Sequence, residues 1–192
     1  YRDAADQSEL PPAPGSGFMS KAAARIFRAQ LMNETVKDLR WWFEAGLGPM
    51  INGGEVTRNA LLNEPVETLD DGDPTRTDIL HEYFVPPDRF AEFVTTCQDV
   101  IPASYQEMLN ITLRYVTADR ESVLAYAPGP RIACVMLFSQ EMTMRAETDH
   151  KRMTRALIDR VLDLGGTYYL PYRPHATRTQ FLKAYPRARE FV

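Results

Sequence analysis

From Asp78 onward the apolar residues change period several times, and that succession limits the fold more than any other feature of the chain. Ile79 to Val85 alternates as a strand does, and Pro86-Pro87 then opens a helical stretch from Asp88 to Val100. Two further runs, Leu109 to Thr117 and Ile132 to Ser139, again alternate. Arg145 to Leu164 carries helical spacing and ends at Gly165-Gly166, a pair suited to a left-handed helix cap. Thr167 to Leu170 reads as a short strand, and Thr179 to Tyr185 as a last helix stopped by Pro186. The order is β-α-β-β-α-β. It predicts an α+β fold, a ferredoxin-like split β-α-β unit whose four-stranded antiparallel sheet carries both helices on one face.

A sheet covered on one side needs two kinds of face. In the second strand, alternation separates Asn110, Thr112 and Arg114 from Ile111, Leu113 and Tyr115. The expectation is that Ile111, Leu113, Val135 and Leu137 fill the helix side. Asn110, Thr112 and Arg114 then occupy the uncovered side, with Gln140 at the level of Arg114. His81 and Glu82 point to opposite faces, so one of them at most meets any given pocket.

Before this unit the chain is less regular. Residues 1–17 hold Pro11, Pro12, Pro14, Gly15 and Gly17 and read as a flexible leader. Residues 18–76 read as a helical extension and connector: a long amphipathic helix from Ala22 to Phe43, with a break near Asn33, then a short helix Thr57 to Asn63 and an irregular acidic link. Residues 77–192 form the α+β domain. The acids between Glu67 and Asp73 lack the twelfth-position glutamate of a calcium loop and run into Pro74. Trp41-Trp42 beside Arg40 allows a membrane-surface anchor, yet the mixed charges along the helix favour an aromatic stripe against protein. No apolar run approaches the roughly 18 residues of a membrane span. A formal charge of −4 without a basic stripe disfavours nucleic acid as a partner. Cys97 and Cys134 sit in patterned apolar segments and read as buried thiols of a reducing, cytoplasmic compartment. The chain begins at Tyr1-Arg2-Asp3 and ends at Glu190-Phe191-Val192, which reads as a domain excised from a longer polypeptide.

Chemistry concentrates in two stretches. Tyr168 to Arg178 crowds His175, Arg173 and Arg178 behind a short aromatic strand. A guanidinium in mid-strand, Arg114, requires a carboxylate such as Glu82 or Asp119, or else a ligand oxyanion. His175 is either a hydrogen-bonded structural group or a base with a near-neutral pKa. Tyr172 and Gln140 are candidate pocket linings. Arg178 is either a rim cation or a solvated first-turn residue. His150, set among Asp149, Lys151 and Arg152, reads as a surface residue. No catalytic serine order, zinc-ligand spacing or phosphate-cradling Gly-rich loop competes with these residues.

Taken together, Thr112-Leu113-Arg114, Ala118-Asp119 and Pro174-His175-Ala176-Thr177-Arg178 resemble the substrate-side cap domain of flavin oxidoreductases in the vanillyl-alcohol oxidase superfamily, nearest the sugar-lactone and alditol oxidase branch. There a Glu-x-Arg strand and a Pro-His-x-x-Lys segment line the site; here Thr112 replaces the acid and Arg178 the lysine. The resemblance covers about Ile79 to Tyr185. It implies a cap that binds a small hydroxylated substrate, a sugar lactone or polyol, over FAD held mainly by another domain of the same polypeptide. It further implies Arg114 and His175 as catalytic residues, with Asn110, Thr112, Gln140, Tyr172 and Arg178 contacting substrate. The rival expectation is a stand-alone ferredoxin-like module that binds a ligand or a protein on its open sheet face.

Overall fold

A computed structural model of the chain describes residues 27–47 and 73–191. The leader, the first turns of the N-terminal helix, the helix expected at Thr57 to Asn63 and most of the acidic connector lie outside the described residues. Two compact units divide the chain, Tyr1–Asp73 and Pro74–Val192. In the first, the break expected near Asn33 is a helix cap: α1 spans Glu34–Trp42, and the Asn33 side chain accepts the Val36 amide. Arg40 of this helix donates to Gln30 and lies over the Phe27 ring. Leu39, Trp41 and Trp42 are exposed. Among the described residues no helix is long and apolar enough to cross a membrane.

The second unit runs β1 (Arg76–Val85), a 3-10 turn (Pro87–Arg89), α2 (Phe90–Val100), β2 (Glu107–Val116), β3 (Arg131–Glu141), α3 (Met144–Asp163), β4 (Thr167–Tyr168) and α4 (Arg178–Ala184), closed by a 3-10 turn at Pro186–Glu190. The strands form one antiparallel sheet in the order β2-β3-β1-β4. Its register assigns the faces. Tyr83 lies opposite Cys134, which lies opposite Leu113; His81, Met136 and Ile111 form the next such row. Tyr83, Val85, Cys134, Met136 and Phe138 pack against Phe93 of α2 and Met153, Leu157, Ile158 and Val161 of α3, all buried. This is the core. The other face carries the rows Leu80–Leu137–Asn110, Glu82–Val135–Thr112 and Phe84–Ala133–Arg114.

Two expectations about the faces are corrected by this register. Val135 and Leu137 belong to the open face, because they alternate with Cys134, Met136 and Phe138. Ile111 and Leu113 do share the helix-side face, but β2 is the edge strand, and along it Leu113 and Tyr115 stay 51% and 66% exposed. A bulge between Met108 and Asn110 turns Leu109 inward, where it is buried.

Helix α3 is fixed at both ends. Thr143 accepts the Ala146 amide at its start. At its end Gly165 takes φ +74°, the Gly166 amide donates to Val161 O at 2.8 Å, and the Gly165 amide donates to Leu162 O at 3.1 Å. Those two bonds satisfy carbonyls that the helix leaves open and turn the chain directly into β4. Gly166 is needed for a second reason: a Cβ there would sit 2.5 Å from Phe84 O and 2.7 Å from Val161 Cγ1. Gly166→Ala is therefore expected to destabilise the unit by about 1–3 kcal/mol, the usual cost of overpacking. Urea unfolding followed by circular dichroism measures it, and an unchanged midpoint would contradict the close approach of α3 to β1.

Candidate functional site

All three histidines of the chain meet beneath the sheet. His81 points inward from β1, His150 from the second turn of α3, and His175 from the segment between β4 and α4. Ring centroids are 5.0 Å apart for His81 and His150, 5.6 Å for His81 and His175, and 5.5 Å for His150 and His175. One ring nitrogen from each lies within 4.8 Å of the others. All three side chains are buried, His150 completely.

The surrounding bonds determine the proton positions. Gln106 donates through Nε2 to Ala146 O and Asp149 Oδ2, so its Oε1 is the atom turned to His150 Nδ1, at 2.9 Å. A carbonyl oxygen only accepts; Nδ1 therefore carries the proton and Nε2 keeps its lone pair. That Nε2 is buried and has no hydrogen-bond partner. His175 Nε2 lies 2.9 Å from Glu147 Oε1. Burial raises the Glu147 pKa, but hydrogen bonds from Gln140 and His175 and the Arg173 charge more than offset this, holding the carboxyl below its usual range. Facing this carboxylate, His175 Nε2 is the protonated nitrogen and Nδ1 the free one. Both His175 Nδ1 and His81 Nε2 approach Thr154 Oγ1 at 3.4 Å, and one hydroxyl proton serves one of them at most.

Burial disfavours charge on every ring. It lowers His81 to about 3, helped by the neighbouring His150, His175 and Arg173. His150 falls to about 4 for the same first reason, with His175 adding to it. His175 is lowered by burial against the opposing pull of Glu147. The open face gathers a different set. Asn110, Thr112 and Arg114 are exposed in one row of β2, across from half-buried Glu82. Burial raises the Glu82 carboxyl and the nearby Arg114 partly offsets this. Tyr172 stands beside the same pair, its hydroxyl pKa raised by burial and by Glu82. An aromatic group of Phe84, Tyr126, Tyr169 and Tyr172 closes one end of this face, with Tyr126 stacked on Phe84 at 4.4 Å.

Of the residues expected to form one site, then, Asn110, Thr112, Arg114 and Tyr172 come together, and the rest do not. His175 lies on the helix side of the sheet, so the expected Arg114–His175 catalytic pair is divided by the sheet itself. Gln140 pairs with Thr77, at the far end of β3 from Ala133 and Arg114, and donates to Glu147 on the helix side. Arg178 is an exposed first-turn residue of α4, whose cap is Thr177. His150, expected at the surface, is buried because it belongs to the stripe of Met153, Thr154, Leu157, Ile158 and Val161. That i, i+3, i+4, i+7 spacing was the available signal. Asp119, the other expected partner of Arg114, instead caps its own turn through the Glu121 and Ser122 amides. Both cysteines are free, each thiol pushed up to about 12 by burial. A separate cleft of about 500 Å³, bordered by Arg120, Leu162, Lys183, Tyr185 and Arg187, contains none of the expected site residues.

Compared with known protein families, curated proteins and solved structures, the chain matches none.

Neutral histidines in the folded state give stability a defined pH dependence. Above the unfolded-state value of about 6.5 neither state takes up these protons; below it the unfolded chain does, while His81 and His150 resist until about 3 and 4. Stability is thus expected to be complete above about pH 6.5 and to fall as pH drops toward 4, by up to about 1.4 kcal/mol per pH unit for each ring. Chemical unfolding with a chelator present, repeated between neutral and mildly acid pH, measures the slope. A flat profile across that interval would contradict the buried neutral rings.

Proposed function

We propose that residues 74–192 form the ferredoxin-like substrate cap of an FAD-linked oxidoreductase that oxidises a small hydroxylated compound of the sugar-lactone or polyol class. The observation that carries this reading is the open sheet face, where a row of Asn110, Thr112 and Arg114 stands near Glu82 and Tyr172 and which the described helices of this unit leave uncovered. The split β-α-β reading draws support from the element order together with the strand order β2-β3-β1-β4. The resemblance of the Thr-Leu-Arg strand to the cap domains described above supplies the reaction class.

A flat face of this kind suits a planar ring laid over substrate, and its polar groups suit hydroxyls. The sequence has no Gly-x-Gly-x-x-Gly turn to cradle a pyrophosphate, so the cap's share is substrate, and FAD belongs to a separate domain of the same polypeptide. Bound over this face, FAD would supply the acceptor for a hydride from the carbinol carbon. Arg114 stabilises negative charge that develops on the substrate oxygen, while Asn110 and Thr112 orient hydroxyls by hydrogen bonding. His175 is withdrawn as the base, being buried on the opposite face. Glu82 takes that role: its carboxyl, raised by burial on the same face as Arg114, accepts the hydroxyl proton.

With flavin-loaded full-length enzyme, Arg114→Ala is expected to lower kcat/KM by about 10²-fold or more, as loss of an oxyanion-stabilising group does elsewhere. Glu82→Gln should lower kcat and remove the acid limb of the pH–rate profile, with the flavin spectrum unchanged in both variants. Turnover near wild type in both would overturn the assignment of this face to substrate.

A further inference from the structure

We propose that His81, His150 and His175 form a three-histidine site for one divalent transition ion of the zinc type, tying β1, α3 and the segment before α4 together. The inference is independent of the open face, which lies across the sheet.

A buried lone pair stands between the rings without a donor. His150 Nε2 and His175 Nδ1 are both acceptors, since Gln106 and Glu147 hold the proton on the other nitrogen of each ring. His81 turns a third nitrogen into the same space. The Thr154 hydroxyl stands at a long 3.4 Å from both His81 Nε2 and His175 Nδ1, and His150 Nε2 has no partner. A buried acceptor with no donor, facing two further imidazole nitrogens, suits a cation.

Geometry agrees. Three nitrogens bound to one tetrahedral ion stand about 3.4 Å apart for bonds of about 2.05 Å. The present separations, within 4.8 Å, close to that value by small rotations of the rings. Outside the rings, Gln106 on His150 and Glu147 on His175 are the amide and carboxylate partners that orient metal-binding imidazoles and raise their basicity. Each is itself held: Gln106 by Asp149 and Ala146, Glu147 by Gln140 and Arg173. Three neutral nitrogen donors select zinc, cobalt, nickel or copper over magnesium or calcium, which require oxygen.

The test is titration of the purified 192-residue chain, stripped with a chelator, with Zn²⁺ by calorimetry and with Co²⁺ by visible absorption. One ion per chain, an intense ligand-field spectrum of tetrahedral type with Co²⁺ and a rise in Tm with Zn²⁺ are expected. His150→Gln should weaken Zn²⁺ at least about 100-fold, and Gln106→Leu, which leaves all three ligands in place, about 10-fold. Absence of stoichiometric binding to the wild-type chain would overturn the proposal whether or not the variants fold. Undiminished affinity in a folded His150→Gln variant would overturn it equally, since the ion would then reside elsewhere.

Discussion

Proton placement on three buried imidazoles governs the helix side of this fold. Each ring is surrounded so that its charged form is disfavoured, and two of them have one nitrogen committed to an outward acceptor. The commitments reach far along the chain. Gln106, at the entry to β2, is joined through His150 to α3, and Glu147 joins α3 to Arg173 and His175 beyond β4. Arg155 of α3 adds a bond to His175 O at 2.8 Å, and Gln180 of α4 returns to Arg155 O at 2.9 Å. A polar network therefore fastens the end of the core that the apolar cluster of Phe93, Leu157 and Val161 does not fill. Low dielectric makes such a network stringent: a satisfied bond is strengthened there and an unsatisfied one is costly.

The sheet then acts as a partition with different chemistry on its two sides. Below it, imidazoles are neutral and enclosed. Above it, Arg114 is exposed to solvent and its charge acts on half-buried Glu82. Neither arrangement depends on the other, because alternate residues of one strand supply both: His81 goes down and Glu82 goes up. A single-residue slip in the β1–β3 register would exchange them and break up both arrangements. The ten-residue pairing from Arg76↔Glu141 to Val85↔Ile132 guards against it, as does Arg76, whose guanidinium bonds Ser139 Oγ and Ser139 O at the strand end.

Local pattern carried most of the fold. Alternation located β1, β2 and β3 within a few residues, and Gly165-Gly166 marked the end of α3 for the reason the φ of Gly165 now gives. The open face was legible in part, since Asn110, Thr112 and Arg114 needed only period two. What escaped was anything set by pairing order. Apolar character alone does not place Val135 and Leu137, because an uncovered sheet face carries apolar residues as well. Gln140 was assigned to the level of Arg114, a position that the antiparallel register alone determines. The histidine cluster escaped for a related cause. Its members are far apart in sequence and match no ligand spacing, and the charged neighbours of His150 masked the apolar stripe to which it belongs. Short-range context described the neighbours and not the ring.

The most direct measurement is a long-range ¹H–¹⁵N correlation spectrum of the histidine rings in metal-free protein. Three uncharged rings are predicted at neutral pH, with His150 protonated at Nδ1 and His175 at Nε2, and His150 remaining neutral until pH approaches about 4. Imidazolium signals from these rings at neutral pH, or His150 protonated at Nε2, would contradict it.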